Sequence, residues 1–106
     1  MKDQQLKMLK EKIGSDKTYL KDGYYRIRET GSGQHEIAFL KPEGCATTSV
    51  NPQITLEKVN GEWLGVKLID MGTSPTRFLK RDEGVGEVID CELELLVKKM
   101  LNAIAS

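Results

Sequence analysis

Residues 54–68 read ITLEKVNGEWLGVKL, and this stretch decides the fold. Apolar and polar residues alternate along both halves of the stretch, as they do in a strand with one buried face. The halves are separated by Asn60-Gly61, a pair typical of tight turns between antiparallel strands. The stretch therefore predicts a β-hairpin and, with it, an antiparallel sheet.

The register of this hairpin follows from its pattern of apolar residues. A two-residue loop pairs Val59 with Glu62 and mixes polar and apolar side chains on both faces, whereas a three-residue loop pairs Lys58 with Glu62. The longer loop aligns the apolar residues of the two strands, Leu56 with Leu64 and Ile54 with Val66. Because a slip of one residue moves every side chain to the other face, the pattern favours the three-residue loop and places Trp63 off the core face.

More strands precede this hairpin. Tyr25 and Ile27 alternate with polar residues, and the chain returns after a glycine-rich turn with Ile37 and Phe39, which we expect on the same core face. Asp22-Gly23 fits either a further hairpin with residues 18–21 or only a kink. After the main hairpin, residues 74–83 fit a short helix and an edge strand nearly equally well.

Helices are predicted at both ends of the chain. Apolar residues at helical spacing indicate one helix over residues 2–13, where Leu6, Leu9 and Ile13 form the stripe, and a longer one over residues 88–105. The expected architecture is a single α+β domain spanning residues 1–106. It is a two-layer structure in which an antiparallel sheet of about four to five strands is flanked by an N-terminal and a C-terminal helix.

Composition bounds the class of protein. The chain has 106 residues, 16 Lys and Arg against 16 Asp and Glu, and 39% hydrophobic residues. No apolar run is long enough to span a membrane, and no secretory signal is visible, so we expect no membrane association. Two cysteines without a pairing motif suggest free thiols in a reducing, cytoplasmic setting, with a Cys45–Cys91 disulfide as the alternative.

Sites for chemistry are not evident in the sequence. His35 and Cys45 are conceivable as a base and a nucleophile, but no third residue is specified to orient them. The spacing of His and Cys matches no zinc motif, and the glycine pairs form no phosphate-binding loop. We therefore expect no catalytic residue, no metal and no cofactor.

Two surfaces are candidates for contacts with proteins. Tryptophan is a frequent interface anchor, so Trp63 is a candidate partner-binding residue together with Thr55, Glu57 and Lys67. The alternative is that a terminal helix covers Trp63. On the last helix, three residues interrupt the polar face and suggest self-association, unless the N-terminal helix packs there: Val88, Cys91 and Leu95.

A third surface has features of nucleic-acid binding. Tyr24, Arg26 and Arg28 share one face of a predicted strand, and aromatic rings beside guanidinium groups can hold single-stranded nucleic acid. A basic cluster could extend this face, consisting of Arg77, Lys80 and Arg81. The alternative is a solvated strand face on which arginines pair with glutamates across the strands.

These observations favour a small, soluble, non-catalytic protein-binding module of the adaptor, chaperone or inhibitor type, able to form a homodimer. A nucleic-acid-binding module is the alternative, although the balanced charge argues against it. An enzyme of unrecognised type is the third hypothesis.

Overall fold

The structure is a computed structural model that describes residues 1–16, 18–20, 23–31, 33–43, 47–72 and 76–105. Helices lie at both ends and strands between them, as the sequence predicts. In chain order the elements are α1 (Asp3–Lys12), β1 (Thr18–Leu20), β2 (Gly23–Glu29), β3 (His35–Glu43), β4 (Thr47–Val59), β5 (Glu62–Asp70), β6 (Arg77–Lys80), a 3₁₀ turn (Arg81–Glu83) and α2 (Gly86–Ala105).

The strands of the described residues form one antiparallel sheet in the order β1-β2-β3-β4-β5-β6. The α+β architecture is confirmed, with six strands where about four to five were expected. The two strands that the sequence leaves uncertain lie at the edges. Thr18–Leu20 pairs antiparallel with the start of β2, as the hairpin interpretation expects, and Asp22 itself lies outside the described residues. Residues 77–80 form an edge strand and residues 81–83 a 3₁₀ turn, while residues 74 and 75 lie outside the described part of the chain.

The predicted register of the main hairpin is wrong. Val59 pairs with Glu62, so the loop contains only Asn60 and Gly61. Both loop residues have positive φ angles, 52° and 80°, as a type I′ turn requires. This turn twists in the same sense as the strands it joins, and this favours it over the longer loop.

A β-bulge restores the burial pattern that the short turn would otherwise disrupt. The pairing runs without a break from Val59 to Leu56, which faces Gly65, and then shifts so that Thr55 faces Lys67. Val66 is the extra residue, and its insertion reverses the parity of β5. As a result Trp63 and Leu68 both face the core, although they are an odd number of positions apart.

The helices cover one face of the sheet. Leu6, Leu9 and Ile13 of the N-terminal segment join the apolar side chains of the sheet in one core, which confirms the predicted stripe. Tyr25 pairs with Phe39 across β2 and β3 within this core. From α2 the core receives Ile89, Leu93, Leu96, Val97, Met100 and Ala103. No helix in the described ranges is long and apolar enough to cross a membrane.

Candidate functional site

One face of the sheet carries no helix. We define the open face as the side-chain positions that alternate with the core positions along the strands. Its members are Tyr19, Tyr24, Arg26, Arg28, Glu36, Ala38, Leu40, Val50, Gln53, Thr55, Glu57, Lys67, Ile69, Phe78 and Lys80. None of these residues belongs to the main hydrophobic core, which confirms that they lie on the other side of the sheet.

An apolar band crosses the open face. Its centre is closely packed, since Leu40 is only 3% exposed between Tyr24 and Val50 on the neighbouring strands. Its two ends are aromatic and accessible. Tyr19 is 61% exposed, and its ring meets that of Tyr24 edge to face, while Phe78 on β6 is 68% exposed. Contiguous exposed apolar surface, more than single apolar side chains, marks sites of contact with other molecules.

The predicted pair of arginines lies on the open face, and both are engaged by neighbouring strands. Arg28 binds Glu36 at 2.6 Å, and an Arg26 guanidinium nitrogen donates to Gln53 at 2.6 Å. Gln53 in turn donates to Glu36 at 3.5 Å, which closes a small network. Burial lowers the pKa of Arg26 below its ordinary value. The pairing across strands that the sequence offered as the alternative is therefore present.

Two lysines of the open face are not neutralised in this way. Lys67 and Lys80 are directly opposite each other on β5 and β6, and neither forms an ion pair with any residue that the structure describes. Like charges in this arrangement repel. Both lysines line a groove of about 470 Å³ that also includes Arg81 and two acidic residues, Glu57 and Asp82. Neither carboxylate forms an ion pair with Lys67 or Lys80.

The other two residues of the predicted basic cluster, Arg77 and Arg81, form ion pairs with α2. Arg77 binds Asp70 at 3.1 Å and Glu92 of α2 at 3.3 Å. The Arg81 side chain donates to the Gly65 carbonyl at 2.8 Å and pairs with Asp90 of α2. Carboxylates in the first turns of α2 already engage both arginines, although Arg81 also lines the groove of Lys67 and Lys80. That Arg77 and Arg81 extend the Tyr24 surface stays a prediction.

Trp63 is likewise not an accessible anchor. It is 6% exposed beneath α1, and its indole nitrogen donates to Asp3 at 3.0 Å. The terminal helix covers it, so Trp63 cannot form the surface predicted for it. Its three predicted companions remain together on the open face: Thr55, Glu57 and Lys67.

The predicted self-association surface is exposed. Val88 and Leu95 are 42% and 56% exposed, and Cys91 between them is an exposed free thiol. The N-terminal helix does not cover these residues, since its apolar stripe faces the core. Self-association through this surface stays a prediction.

His35, one half of the pair considered for catalysis, is buried at 7% exposure. Its Nε2 lies 3.1 Å from the Lys10 ammonium, and its ring stands edge-on against Trp63 with centroids 4.5 Å apart. The other half, Cys45, lies outside the described residues. No group of three His, Cys, Asp or Glu residues in the described part of the chain is placed to hold a metal.

A second concavity, of about 530 Å³, lies between the N-terminus, β5 and α2. Trp63, Leu93 and Val97 form its apolar lining, and Asp90 and Glu94 lie along one side. Asp90 is already paired with Arg81. Gln5 and Lys98 complete the polar part of the lining.

Sequence reasoning missed Phe78 and Tyr19 as surface residues. Each lies in an edge strand whose existence was uncertain, so no alternation could assign a face to its side chain. The open face thus combines residues from two surfaces that the sequence treated as separate. Comparison of the chain with protein-family models, with curated proteins and with solved structures gave no match.

Proposed function

We propose that this protein is a non-catalytic protein-binding module and that its partner docks on the open face of the sheet. The observation that carries the proposal is the layer arrangement: both helices pack on one face, while the other bears an apolar band with exposed aromatic ends. An uncovered sheet face with this composition is the kind of surface that a partner buries.

The composition of the face supports a protein partner. Phe78 and Tyr19 provide apolar contact area at the two ends of the band, and the half-buried Ile69 adjoins Phe78 on the next strand. Aromatic residues are enriched at the centres of protein interfaces, and polar groups surround them. The arginine network and the two lysines supply such a polar border.

Affinity capture from the source cells, quantified against matched variants, tests the proposal. Phe78→Glu places a charge on the open face, and Leu95→Glu makes the same chemical change on the exposed face of α2. We expect a partner that the wild type and Leu95→Glu retain equally and that Phe78→Glu loses. A partner lost by Leu95→Glu but retained by Phe78→Glu would contradict the proposal, as would the absence of any saturable partner.

Single-stranded nucleic acid is the second candidate, because Tyr24, Arg26 and Arg28 share the open face with Lys67 and Lys80. It is weaker because Glu36 already pairs with Arg28. It predicts an affinity for single strands that falls steeply with salt and that Arg26→Ala with Arg28→Ala weakens. Absence of binding at low salt rejects it.

A further inference from the structure

We propose that the partner contributes an extended acidic segment that adds to the sheet as a strand beside β6. The segment would carry an apolar and an acidic residue two positions apart. This inference rests on the proposed function and specifies the chemistry of the partner at one edge of the open face.

The outer edge of β6 is available for pairing with an added strand. β6 is the last strand of the sheet, paired with β5 on one side and with no described strand on the other. Along an edge strand, alternate residues turn their N–H and C=O groups away from the sheet, where an added chain can pair with them. The part of β5 that extends past β6 is occupied: Met1 exchanges backbone hydrogen bonds with Trp63, and Arg81 caps the Gly65 carbonyl. At this end of the sheet, the strand open to pairing with an added chain is therefore β6.

The spacing of the two contact residues in the partner follows from the alternation of side chains along a strand. Phe78 and Lys80 are two residues apart, and both point to the open face. In an added strand the residues beside them are also two apart and face the same way. The residue beside Phe78 should be apolar and the one beside Lys80 should be acidic. Either strand direction preserves this spacing.

Charge selects an acidic partner over a second copy of the chain. Lys80 faces Lys67 across the strands, and no described acidic residue pairs with either of them. If two β6 strands paired symmetrically about Phe78, the residue beside Lys80 would be Thr76 of the other copy, which brings no negative charge. A carboxylate from a different protein instead relieves the repulsion between the two lysines.

Short peptides test the inference with the full-length protein. The probe TETLTET places a glutamate two residues from leucine in both directions. The control TTELETT has the same composition but places the glutamates and the leucine on opposite faces of a strand. In ¹H–¹⁵N spectra we expect TETLTET to shift the amides of residues 77–80 and of their partners on β5, and TTELETT to bind at least about tenfold more weakly.

Reversing the charge at position 80 tests the contribution of Lys80 to peptide binding. Lys80→Glu should weaken TETLTET about tenfold and should bind the charge-swapped probe TKTLTKT in its place. Lys12→Glu, an equal change on α1, should leave binding of TETLTET unchanged. Methylation of alternate backbone nitrogens of TETLTET should abolish binding, because it removes the strand's hydrogen bonds while keeping its side chains.

Equal binding of both peptides, or no effect of Lys80→Glu, would overturn the inference. So would shifts of residues 77–80 caused by single-stranded oligo(dT) but not by TETLTET, or a dimer of the free protein that Phe78→Glu dissociates. If capture finds a partner sensitive to Phe78→Glu while TETLTET does not bind, this inference fails and the proposed function stands. If no such partner exists, the proposed function itself fails.

Discussion

The indole nitrogen of Trp63 donates a 3.0 Å hydrogen bond to Asp3, which lies 60 residues earlier in the chain. This hydrogen bond holds the first turn of α1 against the β4–β5 hairpin. Lys58 of the same hairpin adds an ion pair to Asp3 at 3.7 Å. Together with its burial, these contacts give Trp63, the only tryptophan of the sequence, a structural role in this fold.

The first prediction concerns the Asp3 carboxylate. The hydrogen bond from Trp63, followed by Lys7 and Lys58, holds the pKa of Asp3 below its ordinary value of 3.8 against the opposing effect of desolvation. Trp63→Phe removes the donor and keeps a large ring, so the pKa of Asp3 should rise. A carboxyl group whose pKa is lower in the folded than in the unfolded state stabilises the fold at pH values above its unfolded-state pKa. This stabilisation is lost as the pH falls through the folded-state pKa. The variant should therefore lose less stability on acidification, and NMR titration of Asp3 with urea unfolding at acid pH checks both effects.

The second prediction concerns His35. Burial, and then the Lys10 ammonium, lower its pKa from 6.5, against weaker opposing effects of Glu29 and Asp3. Lys10 donates to Nε2, so the neutral ring carries its proton on Nδ1, a buried atom with no partner among the described residues. As pH falls below about 6.5 the unfolded chain takes up a proton before the folded one, so the free energy of unfolding should decrease. Above that pH the contribution is constant.

Urea unfolding at pH values above and below about 6.5 tests the His35 prediction. His35→Gln keeps an acceptor for Lys10 but cannot titrate, so its stability should change less between about pH 7.5 and about pH 5.5. An identical pH dependence in wild type and variant would show that another group is responsible.

The third prediction concerns Gly65, which lies under α2 where the helix crosses the sheet. A Cβ at this position would stand 2.5 Å from a methyl group of Ile89 and 3.1 Å from one of Ile54. Gly65→Ala should therefore cost about 1–3 kcal/mol of unfolding free energy through overpacking. Gly31→Ala is the matched control, since nothing lies within 4 Å of its Cβ. Equal stability of the two variants would show that α2 does not approach the sheet this closely.

The fourth prediction separates the exposed and buried faces of α2. Leu95→Glu should change the free energy of unfolding by less than about 0.5 kcal/mol because Leu95 lies at the surface. Leu93→Ala, on the core side, should cost about 2–5 kcal/mol. Sedimentation of the wild type and Leu95→Glu then tests self-association. A concentration-dependent dimer that Leu95→Glu dissociates would support that role, and a monomer in both cases would reject it.

The sequence predicts the helices and the core face of β2 and β3 because both patterns are unbroken: Tyr25, Ile27, Ile37 and Phe39 all lie in the core. The prediction fails at β5, because the alternation of core and surface residues is interrupted there. The bulge at Val66 reverses parity, and no local signal distinguishes it from a continuous strand beside a different turn. For this reason alone, uninterrupted alternation places Trp63 on the wrong face of the sheet.

Arg77 and Arg81 could not be assigned from the sequence for a different reason. Their partners, Glu92 and Asp90, lie in the first turns of α2, and only the path of the chain after β6 brings these groups together. Lys80 lies between the two arginines in sequence but points to the opposite face. A basic cluster in the sequence is thereby divided between a structural role and the candidate binding surface.

Photo-crosslinking from the open face tests the central claim most directly. Benzoylphenylalanine replaces Phe78 with little change in shape, and the same residue at position 95 serves as the control on α2. In the source cells, we expect position 78 to yield a discrete protein adduct that position 95 does not yield. An adduct from position 95 alone, or none from position 78 when the protein is folded, would contradict the account.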